Sequence, residues 1–370
     1  MKFRSLPLLC LVALAASVQA SDAAKVKAAT DKTVAYLKSI QNEDGTFGKT
    51  KGAKIVGVVG MVLDGIARSP DAQKNDPVVE KAAGYLISKQ LPNGTIAIPE
   101  FGLENYNTSV AAIALASTQN PAYKDAMEKA KKAIVSYQLN EELGYNKDEH
   151  GRAYGAFGYG NSKRGDLSNT AFSIEALDAL GFPKDSKEYK NALLFIKRCQ
   201  DNEETNDLPE MKGGANEGGF VYLPMDSEFG TITGKNGKKM PKPYGNMTYQ
   251  AVKSLLLAGV DKNDPSIQAA YKWIRNNYNA TSNPGGKDAQ GFFYYTNAFA
   301  GAFTAMGVKE FELADGRKAN WAKDLAEAII AHQKPDGSFS NTDKRWMEDD
   351  STLATAYALR ALNLCYKALK

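Results

Sequence analysis

The 370-residue chain is poor in the residues that most often carry chemistry or covalent staples. It has two histidines, His150 and His332, so a histidine-rich metal centre is excluded. It has three cysteines, Cys10, Cys199 and Cys365, too few for a disulfide scaffold. Charge of one sign is not in excess: the formal net charge of +4 gives no clustered basic face, and the sequence predicts no nucleic-acid partner. No apolar run approaches the ~18 residues needed to cross a bilayer, so no transmembrane anchor is expected. A hydrophobic fraction of 43% beside 24% charged residues excludes a disordered chain.

Met1–Ala20 has the pattern of a cleaved signal peptide. Lys2 and Arg4 give a positive start, Leu6–Ala16 is apolar, and Val18-Gln-Ala20 ends in small residues. Residues 21–370 would then form the mature protein, secreted or periplasmic, with Cys199 and Cys365 free to pair or to remain thiols. Cys10 follows Leu9 rather than a small residue, which argues against a lipid anchor.

What the sequence does have is a repeat. Five segments read apolar-x-x-x-Gln and end at Gln41, Gln90, Gln138, Gln200 and Gln333, and a sixth ends at Asn277. After each marker comes a polar, Gly-containing turn that usually reaches an aromatic residue, as in Asn42-Glu-Asp-Gly-Thr-Phe47 and Lys334-Pro-Asp-Gly-Ser-Phe339. A second block follows with Thr and an apolar residue seven positions on: Thr108/Leu115, Thr170/Leu177, Thr248/Leu255, Thr296/Phe303 and Thr352/Leu359. Apolar residues at spacings of three and four in these blocks predict helices, opened by Asn, Asp, Ser or Thr as N-caps. Two helices per unit and six units predict one all-α domain, an α/α toroid of about twelve helices. The main insertion, Leu208–Gly245, contains a small β-hairpin expected to turn at Asn236-Gly237 and to lie across one mouth of the ring.

Gln333 to Phe339 and Gln41 to Phe47 resemble the QW-type repeat of terpenoid cyclases and protein prenyltransferases, over essentially the whole mature chain. The chain is most similar to small secreted proteins with prenyltransferase and squalene-oxidase repeats. The resemblance implies a central cavity that binds or cyclises an isoprenoid. Cyclases of this kind carry Asp-x-Asp-Asp-Thr at an inner helix, and registering on Thr352 sets Glu348-Asp349-Asp350-Ser351-Thr352 on that motif. Asp350 then takes the place of the proton donor, with Asp349 and Glu348 beside it, in what would be a class II, acid-initiated isomerase. Glu348 and Ser351 depart from the family's acids. Carboxylates in such positions also serve as helix caps.

Substrate-binding candidates lie at the turn–helix junctions: Asp166, Asn169, Asn107, Tyr106, Tyr244, Tyr295 and Trp346, together with Phe157, Tyr159, Tyr249 and Tyr294. Aromatic faces stabilise cationic centres. Ser351–Leu359 holds no His or Cys, so the zinc of the protein prenyltransferases has no ligand set and no cofactor is expected. Two other readings stand beside the first. One is a glycan hydrolase or lyase pairing Asp166 or Glu175 with Asp349 or Asp350. The other is a non-catalytic secreted scaffold. A monomer is expected in each case.

Overall fold

The computed structural model describes residues 8–160, 164–287 and 289–370, with side chains in the first helix from Ala20 onward. Of the expected leader, Met1–Ala20, residues 1–7 lie outside the described residues, and Leu8–Ala20 fall within the first helix.

Helices alternate between two layers. The outer layer is α1 (Leu8–Ser39), α3 (Pro77–Ser88), α5 (Lys124–Ser136), α7 (Lys187–Arg198), α9 (Pro265–Asn277) and α11 (Trp321–Ile330). The inner layer is α2 (Val56–Ala67), α4 (Glu104–Ser117), α6 (Leu167–Ala179), α8 (Gly245–Leu257), α10 (Phe292–Met306) and α12 (Ser351–Leu369). Each inner helix packs on the next, and α12 returns to pack on both α2 and α1, so the ring is closed. The two layers differ in sequence for a physical reason. An outer helix such as α5 buries one stripe, Ala126, Ala130, Ala133 and Ile134, and is charged elsewhere. An inner helix is enclosed on all sides, and α2 is buried from Val56 to Ile66. Its glycines admit neighbours: a Cβ at Gly60 would meet Val110 at 2.9 Å and one at Gly65 would meet Leu359 at 2.9 Å.

The marker glutamines are staples between units. Gln90 Nε2 donates to Gly94 O in its own turn and to Ala126 O on the next outer helix; Gln138 bonds Gly155 O and Glu188 O, and Gln200 bonds Gly218 O and Ser266 O. Gln333 closes the ring by donating to Ala29 O and Thr33 Oγ1 on α1. The repeat threonines are a second staple. Thr108, Thr170 and Thr248 accept from the backbone N–H of Ile96, Phe157 and Phe220, each in its own turn. In the sixth unit Phe339 N–H donates to Thr355 Oγ1 at 2.9 Å, which corrects the expected register: Thr355, not Thr352, is the repeat threonine.

Three short antiparallel pairs decorate the turns: β1 (Phe157–Gly158) with β2 (Gly165–Asp166), β3 (Thr231–Thr233) with β4 (Lys239–Pro241), and β5 (Phe311–Glu312) with β6 (Lys318–Ala319). The β3–β4 hairpin lies in the insertion as expected, but it turns through a 3₁₀ segment, Lys235–Gly237, instead of a tight Asn-Gly turn. Cys199 and Cys365 are buried and unpaired. Among the described residues no helix is long and apolar enough to cross a membrane.

Candidate functional site

All six inner helices start at the same mouth of the ring, here called the upper one, because every turn segment feeds its inner helix from that side. The interior is divided in two. The upper cavity has a volume of about 580 Å³ and is lined by Ile55, Val58, Leu103, Tyr106, Tyr159, Arg164, Ser168, Phe172, Tyr222, Tyr244, Asn246, Met247, Tyr294, Leu353 and Tyr357, with Asp226, Glu228, Arg345, Trp346 and Met347 also on its wall. A lower cavity of about 870 Å³ opens at the C-terminal ends of the inner helices.

Ionic residues stand between the two. Arg360 on α12 bonds Asp64 on α2 at 2.7 Å and Glu175 on α6 at 2.8 Å. Lys253 on α8 bonds the other Glu175 oxygen at 2.6 Å, and Arg68 bonds Asp64 at 2.6 Å. Burial alone would raise the Glu175 pKa, but Lys253 and Arg360 hold it down to about 2. The network ties four of the six inner helices across the middle of the ring.

The repeat register explains the upper wall. The residue two places before the repeat threonine faces the cavity: Tyr106, Ser168, Asn246, Tyr294 and Leu353. Two places after it, Phe172 and Tyr357 also reach the cavity. Tyr106 meets Phe172 edge-on with centroids 5.2 Å apart, and Tyr294 lies 5.8 Å from Tyr357. The hydroxyls are paired: Ser168 with Tyr294 at 2.7 Å, Tyr106 with Tyr357 at 3.4 Å, and Tyr159 with Tyr222 at 3.4 Å.

Of the residues singled out in the sequence, Tyr106, Tyr244 and Trp346 line this cavity, as do Tyr159 and Tyr294. Tyr295 does not. It is fully buried between helices against Tyr249 and Phe299, and its hydroxyl donates to Asn279 O. Asn107 is also buried, and its Oδ1 accepts from Gly57 N–H at 2.9 Å, fastening α4 to the start of α2.

Asp166 and Asn169 form one unit. Asp166 caps α6 by accepting from Asn169 N–H at 2.8 Å, and its second oxygen accepts from Asn169 Nδ2 at 2.7 Å. It also hydrogen-bonds the Tyr222 hydroxyl, and burial raises its pKa to about 6.

Two of the three carboxylates before α12 cap helices. Asp350 is the N-cap, accepting from Thr352 N–H at 2.8 Å and from the Thr50 hydroxyl. Asp349 is exposed. Glu348 is fully buried and accepts from Tyr294 N–H at 2.7 Å, Phe293 N–H at 3.2 Å and Asn341 Nδ2 at 2.8 Å, so it caps α10; burial pushes its pKa up. None of the three is on the cavity wall. With Thr355 as the repeat threonine, the position first matched to the proton donor is Leu353. Glu175 and Asp350 serve different contacts: Glu175 is held by Arg360 and Lys253 on the wall of the lower cavity, while Asp350 caps α12.

The sequence reading missed Tyr222, Phe172, Tyr357 and Arg345. Phe172 and Tyr357 follow from the threonine register once it is set correctly. Tyr222 and Glu228 come from the insertion, where no repeat marks them. Arg345 pairs with Glu228 across the mouth and lies 5.0 Å from the Trp346 ring centroid. Trp346 itself has a left-handed backbone (φ 56) and lies against Gly291, where any Cβ would meet the indole at 2.3 Å.

No curated protein matches the chain in sequence. Among solved structures it is similar to the GH76A α-1,6-mannanase of a Salegentibacter species (TM-score 0.58, 12% identity, covering 93% of this chain and 100% of that one). It is also similar to the type II terpene cyclase MstE of Scytonema in complex with merosterolic acid A (TM-score 0.54, 14% identity, 94% and 99%). A protein from Actinoplanes aligns at TM-score 0.53 and 16% identity, covering 92% and 99%. At these identities the likeness concerns the fold. The model of the prenyltransferase α/α-toroid domain matches residues 6–153 and 156–342, so the closed ring, its repeat staples and this match together make the chain a member of that family.

Proposed function

We propose that the protein holds an apolar, isoprenoid-class molecule in its upper cavity, and that its task there is binding. One observation carries this reading. The cavity wall is built from the rings of Tyr106, Phe172, Tyr244, Tyr294 and Tyr357 with Ile55, Val58, Met247 and Leu353, and its lining carboxylates, Asp226 and Glu228, are exposed. A mostly apolar cavity with a few placed polar groups suits such a ligand. The Scytonema cyclase of like fold is in complex with merosterolic acid A, which supports a toroid of this fold as a holder of such molecules.

Acid-initiated cyclisation needs a neutral carboxyl in contact with the alkene. The lining supplies Leu353, Ser168 and Asn246 at the positions facing inward, and this favours holding the molecule over protonating it. A leader at Met1–Ala20 would put this binding outside the cytoplasm. The test is mass spectrometry of an organic extract of the purified protein, before and after incubation with squalene and with a polyprenyl alcohol. A co-purifying or retained isoprenoid at near-equal stoichiometry is the expected result. Clean extracts with neither compound retained would overturn it and turn attention to glycans, the class handled by the mannanase of like fold.

A further inference from the structure

The polar groups of the upper cavity are unequal. Ser168 and Tyr294 satisfy each other at 2.7 Å, and Tyr294 also accepts from Gln250 Nε2 at 3.3 Å. Tyr159 and Tyr222, by contrast, stand 3.4 Å apart, a long contact for two hydroxyls. Both are held by backbone. Tyr159 follows β1, and its carbonyl accepts from Asn105 N–H at 3.0 Å. The Tyr222 carbonyl accepts from Leu167 N–H at 3.0 Å, which pins the start of the insertion to the first residue of α6.

Behind this pair sits Asp166, buried, with its two oxygens already bonded to Asn169 and the Tyr222 hydroxyl donating to it. The groups facing Asp166 are Tyr222, Tyr159 and Arg164, with Tyr244 and Cys199 farther back. Arg164 lies 6.0 Å from the Tyr222 ring centroid. With its proton committed to the carboxylate, the Tyr222 oxygen presents lone pairs to the cavity, while the Tyr159 hydroxyl has a proton to give. A ligand oxygen between them would need to accept from Tyr159 and donate to Tyr222. A hydroxyl does both; a carbonyl or ether does one; a hydrocarbon does neither.

Resting on the binding reading above, we propose that the Tyr159–Tyr222 pair, set by Asp166, is a hydroxyl-recognition site, and that the ligand is an isoprenoid alcohol with its hydroxyl near the mouth and its tail on Tyr106, Phe172 and Tyr357. Because the long Tyr159–Tyr222 contact is given up when the ligand binds, the preference for the alcohol is modest, about tenfold, the worth of one well-made hydrogen bond.

The test is titration of the whole protein with geranylgeraniol and with the hydrocarbon of the same skeleton, followed by tryptophan fluorescence. Tyr222→Phe and, as a control on the other long pair, Tyr106→Phe are measured alongside. The expected result is an alcohol preference near tenfold that falls below twofold in Tyr222→Phe, through loss of alcohol affinity alone, and survives in Tyr106→Phe. Equal affinity for the two compounds in the unaltered protein would overturn the hydroxyl site and leave the apolar cavity standing. A preference lost in Tyr106→Phe but kept in Tyr222→Phe would move the site to the cavity floor. Binding of neither compound would remove the cavity reading and this inference with it.

Discussion

Glu175 is the residue on which the interior network turns, since it receives Lys253 from one inner helix and Arg360 from another. Replacing it by Gln keeps the shape and removes the charge. The carboxyl titrates at about 2 in the fold against an ordinary 4.5, because the two cations outweigh the burial that would raise it. Two and a half units at ~1.4 kcal/mol each amount to about 3 kcal/mol of stability at pH 7. That agrees with the ~3–5 kcal/mol expected when one partner of a buried ion pair is removed. The sign is fixed by the depressed value: the contribution is complete above pH 4.5 and is lost as the pH falls toward 2. Urea unfolding of both proteins at pH 7 and pH 3 reads it directly. Glu175→Gln should be less stable by about 3 kcal/mol at pH 7, and the gap should shrink to roughly 1.5 kcal/mol at pH 3. A gap under ~1 kcal/mol at neutrality, or one that stays constant on acidification, would show that the network carries no such energy.

Two further substitutions separate architecture from chemistry. Asp350→Asn retains an N-cap acceptor for Thr352 N–H, so a thermal melt should show a loss of ~1 kcal/mol or less and ligand retention should be unchanged; complete loss of ligand or of any turnover would restore Asp350 as a functional acid. Gln333→Ala removes two of the hydrogen bonds that fasten the last unit to α1 and leaves Ala29 O and Thr33 Oγ1 without that partner, which should cost about 1–3 kcal/mol in denaturant unfolding, and an unchanged midpoint would refute its role as the closing staple.

Much of the ring was legible because its staples demand particular atoms. A Gln amide that bonds its own turn and the next outer helix, and a hydroxyl that receives one turn N–H, cannot be replaced freely, so Gln41 to Gln333 and Thr108 to Thr248 recur visibly. The sixth unit misled because Thr352 and Thr355 lie three residues apart on one helix, and only the bond from Phe339 N–H distinguishes them. The cavity was less legible. Phe292-Phe-Tyr-Tyr295 is aromatic all round, and neighbours on a helix point ~100° apart, so Tyr294 enters the cavity while Tyr295 packs outward. Tyr222 arrives on an irregular insertion, where no period reports which way a side chain faces. Asp166 was visible as an acid at a helix start, but its elevated pKa depends on burial, which local sequence does not encode.

The closing seam also governs the order of events during synthesis. The inner face of α1, with Val26, Ala29, Thr30, Thr33 and Leu37 buried in the finished ring, is among the first helical surface made, yet the residues that cover it lie about three hundred positions downstream. At ~5–20 residues per second that face waits roughly 15–60 s. The entropy of joining such distant segments is not the obstacle. Closing a 304-residue span exceeds closing a 50-residue one by only ~1.6 kcal/mol. The delay is one of exposure, so the nascent chain carries an uncovered apolar edge for as long as its last hairpin is missing.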